Sequence, residues 1–158
     1  MSDKDTYTVE RSATMQVDPQ RAFDQVVDFR NWPAWSPWED IDPAMQRKVS
    51  GAPSGVGAVY EWSGNRKAGE GRMEITEASS PSKIAIDLRF VKPFKSRNTT
   101  TFTFQPEGAG TRVTWHMVGP KTFGTKVMGL FTSMDKLVGK DFEKGLARLS
   151  AVVETPAA

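Results

Sequence analysis

The amino-acid sequence predicts a single α+β domain: a curved antiparallel sheet of six or seven strands, covered by a long C-terminal helix, with two short helical segments after the first strand. Three observations predict it. Apolar residues recur at three- and four-residue spacing from about Thr122 to Glu154. The segments ahead of that stretch alternate apolar and polar with period two. Glycine- and proline-rich turns separate those segments at short, regular intervals.

The first strand is expected over residues 6–17. Tyr7, Val9, Ala13, Met15 and Val17 share one face, broken only by Arg11. Asp18 then caps a helix with Pro19 at its first position and Ala22, Phe23, Val26 and Val27 as its buried side. The following NWPAWSPW is too rich in proline for a long helix, but a helical turn would put Trp32 and Trp35 together. A short strand follows from Gln46, and then strands at Gly57–Ser63, Gly71–Ala78, Ile84–Val91, Asn98–Gln105 and Arg112–Gly119. Their inward sets are Tyr60 and Trp62; Met73 and Ile75; Ile84, Ile86, Leu88 and Phe90; Phe102 and Phe104; and Val113, Trp115 and Met117. Sheets wet on one face alternate in this way.

In the C-terminal helix, Val127, Phe131, Met134, Val138, Phe142, Leu149 and Val152 form one stripe, with Lys136, Lys140, Glu143 and Lys144 opposite. Unbroken by Gly129 and Gly139, it would reach roughly 45 Å. Gly145 lies within the stripe with nothing to bury, at a cost of about 1 kcal/mol relative to alanine. A glycine facing a sheet of bulky side chains points to an enclosed hollow, expected at the usual ligand size of about 300–1,000 Å³. The expected lining from the first half of the chain is Arg11, Trp35, Tyr60, Trp62 and Met73. Ile86, Leu88, Phe90, Phe102, Trp115 and Met117 continue it from later strands, and Leu130, Met134 and Val138 from the helix.

Composition narrows the chemistry. The 158 residues are 38% hydrophobic and suit one domain, with its ordered core at about 6–154 and a frayed TPAA tail. Without cysteine and with one histidine, disulfide scaffolds, thiolate catalysis and Cys/His zinc sites are excluded, and no cofactor or metal is expected. MSDKDTYTVE has no basic and apolar leader pattern and no stretch approaches a membrane span, so a cytoplasmic protein is expected. Net charge is +2. The RFVKPFKSR stretch carries Arg89, Lys92, Lys95 and Arg97 around Phe90 and Phe94. It reads as a solvated hairpin loop, or as a surface for acidic partners or transient membrane contact. A nucleic-acid footprint is absent.

The candidates for chemistry each have a plainer reading. His116 is the obvious acid or base by type, but it points outward if Trp115 and Met117 point inward. Arg11 needs an acid, a rim position or an anionic ligand, because an unpaired buried guanidinium costs several kcal/mol. Tyr60 is either a core tyrosine with a satisfied hydroxyl or a ligand hydrogen-bond partner. Trp32, Trp35 and Trp38 form a plug or an entrance. Glu39, Asp40 and Asp42 form a solvated face or an acid–base pair. Gly51–Gly57 precedes a strand, so it is no dinucleotide loop, and GxxxxGK[ST] does not occur.

With WPAWSPW (Trp32 to Trp38), GVGAVYEWSG (Gly55 to Gly64), GEGRMEI (Gly69 to Ile75), GTRVTWHMVG (Gly110 to Gly119) and GKDFEKGLARL (Gly139 to Leu149), the chain resembles the START-like helix-grip superfamily, also called SRPBCC. Within it, the chain resembles the bacterial polyketide cyclase/dehydrase and lipid-transport type. The resemblance implies a sheet gripping the C-terminal helix, two short helices after the first strand, and a ligand tunnel between sheet and helix. It carries over no catalytic residue. The leading expectation is therefore a carrier or sensor of a small hydrophobic ligand, such as a lipid, polyketide-like or aromatic molecule. A cyclase, aromatase or dehydratase using Arg11 or Tyr60 is the enzyme alternative, and a protein-interaction module is the third.

Overall fold

The computed structural model describes residues 6–37, 44–64, 69–92, 95–120 and 134–154, with the side chains of 134–137 left aside. The chain runs β1 (Thr6–Met15), α1 (Pro19–Val26), a 3-10 helix (Phe29–Ala34), β2 (Gln46–Gly51), β3 (Ala58–Ser63) and β4 (Glu70–Ser79). It continues as β5 (Lys83–Lys92), β6 (Ser96–Glu107), β7 (Gly110–Pro120) and α2 (Met134–Glu154). The seven strands form one antiparallel sheet in the order β1-β7-β6-β5-β4-β3-β2. The α+β class and the covering helix are those the sequence predicts, and the sheet has seven strands, the larger of the two expected numbers. Two bulges in the β4–β5 pair, at Val91 and Thr76, each leave one residue without an opposite number. Such insertions bend and twist a strand, which helps this sheet curve around a helix.

The first helix starts as expected. The Asp18 side chain accepts from the Arg21 backbone N–H at 2.9 Å, and Pro19 occupies the first turn. Its buried side differs at one place. Gln25 is buried, donating to the Asn31 carbonyl and accepting from Arg21, whereas Val27 falls at the C-cap and is half-buried. Asp28 caps the 3-10 helix and is clamped by Arg30, whose hydrogen bonds hold its carboxyl below the usual range.

Helix α2 runs parallel to β1: Glu143 meets Arg11 near its middle, and Glu154 accepts from the Gln16 backbone N–H at 2.7 Å at its end. Phe142, Leu146, Leu149 and Val153 are its buried side chains. The predicted stripe is corrected at its C-terminal end: Leu146 and Val153 face the core, and Val152 is half-buried, because the 3.6-residue repeat continues from Phe142 and Leu149 to 146 and 153. Val127, Leu130 and Phe131, and the side chains of Met134 and Lys136, lie outside the described residues, as do Trp38, Glu39, Asp40, Asp42 and Phe94.

The expectation of a hollow at Gly145 is also corrected. A Cβ placed there would come within 2.7 Å of the Trp115 ring and 3.0 Å of Pro37. The glycine is a point of close approach, and the helix backbone is pressed against an indole.

Candidate functional site

The inner face of the sheet divides into two halves. In the first, rings pack on rings. Trp115 stacks on Phe142 with centroids 4.1 Å apart and planes 7° from parallel, and Phe102 lies 4.8 Å away. Trp35 meets Phe102 and Trp115 edge-on at 5.9 and 5.6 Å, and Trp32 meets Trp35 at 4.7 Å. Phe23 closes the group against Phe104. Trp32 and Trp35 are thus a plug, tied in by the Trp32 indole N–H donating to the Val26 carbonyl. The Trp35 Nε1 is buried with no hydrogen-bond acceptor among the described residues. Of the expected lining, Trp35, Phe102 and Trp115 belong to this packed half.

The second half contains Tyr60, Trp62, Met73, Leu88 and Phe90 of the expected lining, whereas Arg11 stands opposite Trp115 in the row of the packed half. Antiparallel register sets Tyr60, Met73, Leu88 and Asn98 side by side across β3, β4, β5 and β6, and places Trp62, Gly71 and Phe90 in the next row. Trp62 and Phe90 meet edge to face at 5.6 Å across Gly71, where a Cβ would collide with the Trp62 ring. Trp62, Phe90, Tyr7 and Val138 are inward yet only half-buried. Ile86 and Met117 face each other across Thr100, between the two halves. The Met134 side chain and Leu130 cannot be placed in either half, since they lie outside the described residues.

A polar cluster lies in this second half, and the sequence reading did not single it out. Asn98 and Thr100 are each 4% exposed on the inner face of β6, and the Thr100 hydroxyl donates to Asn98 Oδ1 at 2.9 Å. Tyr7 joins them from β1. Gly119 on β7 has no side chain, and the Tyr7 hydroxyl and Asn98 Cβ both lie 2.9 Å from where its Cβ would stand. Burial pushes the Tyr7 phenol above its ordinary pKa, against the opposing pull of a hydrogen bond from Asn98. The signal was available: extending the Phe104–Phe102 alternation by two steps puts Thr100 and then Asn98 on the same face.

Arg11 has an acid. Its Nε donates to Glu143 Oε2 at 2.8 Å, Nη1 donates to the Glu10 carbonyl at 2.7 Å, and the guanidinium lies where a Cβ of Gly139 would fall. Tyr60 is buried and packs on Phe29 and Trp62. His116 faces outward between Glu10 and Thr101. On that outer face Arg72, Arg89 and Arg97 stand directly opposite one another on β4, β5 and β6. Asp87 accepts from Arg89 and Arg97, both at 2.9 Å, so two of the four cations in the RFVKPFKSR stretch share an acid lying just ahead of it. Among the described residues no three acidic or histidine side chains are grouped to hold a metal ion, and no helix is long and apolar enough to cross a membrane.

The model of a family described as polyketide cyclase/dehydrase and lipid transport matches residues 6–154. The chain belongs to that family. It is a member of the START-like helix-grip superfamily. Solved structures of similar fold include protein CV1439 from Chromobacterium violaceum, with a TM-score of 0.68 and 17% identity over 95% of this chain and 99% of that one. Protein Ms6760 from Mycobacterium smegmatis is similar at a TM-score of 0.63 and 20% identity, over 93% and 90% of the two chains. Ara h 8.0201 is similar at 0.65 and 13%, over 94% and 97%. At these identities the likeness is one of fold. A search of curated proteins finds no match in sequence.

Proposed function

We propose that this protein binds a small hydrophobic molecule, as a carrier or sensor, against the half of the sheet that bears Tyr60, Trp62, Met73, Leu88, Phe90 and Met117. One observation carries the reading: Trp62, Phe90, Tyr7 and Val138 turn toward the inner face and yet remain partly accessible, while the other half of that face is filled by stacked rings. Large apolar side chains left accessible on a concave face are what a hydrophobic guest covers, at roughly 25 cal/mol per Å² removed from water. The family's description, which includes lipid transport, supports the same reading.

The test is titration with the neutral fluorophore N-phenyl-1-naphthylamine, alongside native mass spectrometry of protein purified from its own cells. Saturable binding is expected, with energy transfer from tryptophan. Leu88→Trp should weaken binding at least tenfold while leaving the fold stable, because the added ring takes the guest's place. Ile84→Trp, in the packed half, should destabilise by about 1–3 kcal/mol. No saturable binding, or equal destabilisation by both variants, sinks the proposal.

The buried convergence of Tyr7, Asn98 and Thr100 favours a second reading, a cyclase or dehydratase in which the same pocket folds a reactive chain. Tyr7 would then hydrogen-bond an enolate oxygen, a task less suited to Arg11, which is bonded to Glu143. Unchanged turnover of a poly-β-keto thioester by Tyr7→Phe and Asn98→Leu would end this alternative.

A further inference from the structure

Among the described residues, the cluster on β1, β6 and β7 has unused hydrogen-bonding capacity of a particular kind. A side-chain amide offers two N–H donors and two acceptor lone pairs. At Asn98 one lone pair takes the Thr100 hydroxyl, and at most one N–H is engaged by Tyr7, whose own hydroxyl donates to Met117 Sδ at 4.0 Å. Among the described residues that leaves at least one donor and one acceptor on the same amide. Leu88 is directly opposite on β5, and Met117 is opposite Thr100 on β7, so apolar side chains flank the pair. Water is largely kept out, as the 4% exposure of Asn98 and Thr100 records. A buried amide with unused sites costs free energy unless a partner meets it.

We infer that the ligand carries a neutral hydroxyl group, which donates to Asn98 Oδ1 and accepts from its amide N–H while the hydrocarbon body lies against Leu88, Met117 and Phe90. This rests on the ligand-binding reading above. A hydroxyl is donor and acceptor at once and satisfies both remaining sites. A carboxylate only accepts; it would meet the lone pair of Oδ1 and would need a cation. Arg11 lies two rows further along the face, roughly 13 Å at 3.3 Å per residue, and its guanidinium is engaged by Glu143 and the Glu10 carbonyl. A pure hydrocarbon would leave both amide sites unmet.

The test compares ligands that share a body and differ in headgroup: naphthalene, 2-naphthol and 2-naphthoate, and 1-dodecanol against dodecanoate, by displacement of N-phenyl-1-naphthylamine at pH 7. The hydroxyl member of each series should bind at least tenfold more tightly than its counterparts. Asn98→Leu should shrink that preference to about twofold or less; Asn98→Ala, which adds no volume, repeats the comparison if the leucine variant does not fold. A preference for the carboxylate, or a hydroxyl preference that survives loss of the amide, overturns the inference. Binding of all members without preference removes this inference and leaves the carrier reading standing, whereas no binding of fluorophore or ligand removes both.

Discussion

Gly145 and Gly139 lie six residues apart on α2, both facing the sheet, and the atoms they meet make them behave oppositely. At Gly145 the neighbour is Trp115, 1% exposed and stacked on Phe142, with the Pro37 ring on another side. At Gly139 it is the guanidinium end of Arg11, a flexible side chain 26% exposed. Alanine at either site gains about 1 kcal/mol of helix propensity. At Gly145 the overpacking cost of about 1–3 kcal/mol should exceed that gain, because Trp115 cannot turn aside. At Gly139 the guanidinium can swing outward, so the change should be neutral or slightly stabilising. Urea unfolding midpoints will separate the two; a stabilised Gly145→Ala would mean the indole has room to move. Sequence showed a glycine on the apolar stripe but not whether the space over it was empty, because a ring from β7 reaches it only through tertiary packing. The Arg11–Glu143 pair was likewise within reach only as one of several options. Its acid is 132 positions away in sequence and 61% exposed, so Glu143→Gln should cost about 0–1 kcal/mol and leave ligand binding unchanged.

On the scale of elements, the outer face of β4, β5 and β6 sets two carboxylates against three arginines: Glu74 pairs with Arg72, and Asp87 takes both Arg89 and Arg97. Arg72, Arg89 and Arg97 are direct cross-strand neighbours, a like-charge arrangement that disfavours pairing. Asp87 sits between two of them. Burial works against its charge, but the hydrogen bonds from Arg97 and Arg89 win and hold its pKa below the ordinary value. Since the folded pKa is the lower one, the unfolded chain binds more protons, and stability rises with pH in that window. The contribution is fully present above the unfolded value of about 3.9 and is lost as pH falls through the folded pKa. Asp87→Asn should therefore lower the urea midpoint at pH 7 and flatten its fall between about pH 5 and pH 2. An acid limb as steep as that of the unmodified protein would assign the loss to other carboxylates. The strands themselves were legible because each hides one face. The clamp was not, because Asp87 precedes the basic stretch and Arg97 reaches it only once β6 is in register. Asn98 and Thr100 were legible only by extending the period-two alternation of β6 backward, because polar residues at strand starts usually face water.

The whole molecule is a sheet whose two inner halves are packed differently: one is filled with aromatic rings under α1, the 3-10 helix and the C-terminal part of α2, and the other exposes half-buried rings around a polar cluster. The total supply of bulky inward residues was readable from period two alone. Their division between a ring-packed half and a half-buried one was not, since Trp35, Phe102 and Trp115 become neighbours only when three separate elements meet. Hydrogen exchange can test that division directly. Without ligand, β2 should exchange fastest of the strands, being an edge strand with almost every residue exposed, and the interior strands β6 and β7 slowest. A ligand at 100 times its Kd stabilises the folded state by about 2.7 kcal/mol and slows every amide that exchanges through global unfolding by the same factor. If the guest sits on the Asn98 half, amides that open locally at the start of β6 and the end of β7 should be slowed as well, with those of β2 unchanged. Extra protection confined to α1 and the 3-10 helix would place the guest against the tryptophan plug instead, and the two halves would have to exchange roles.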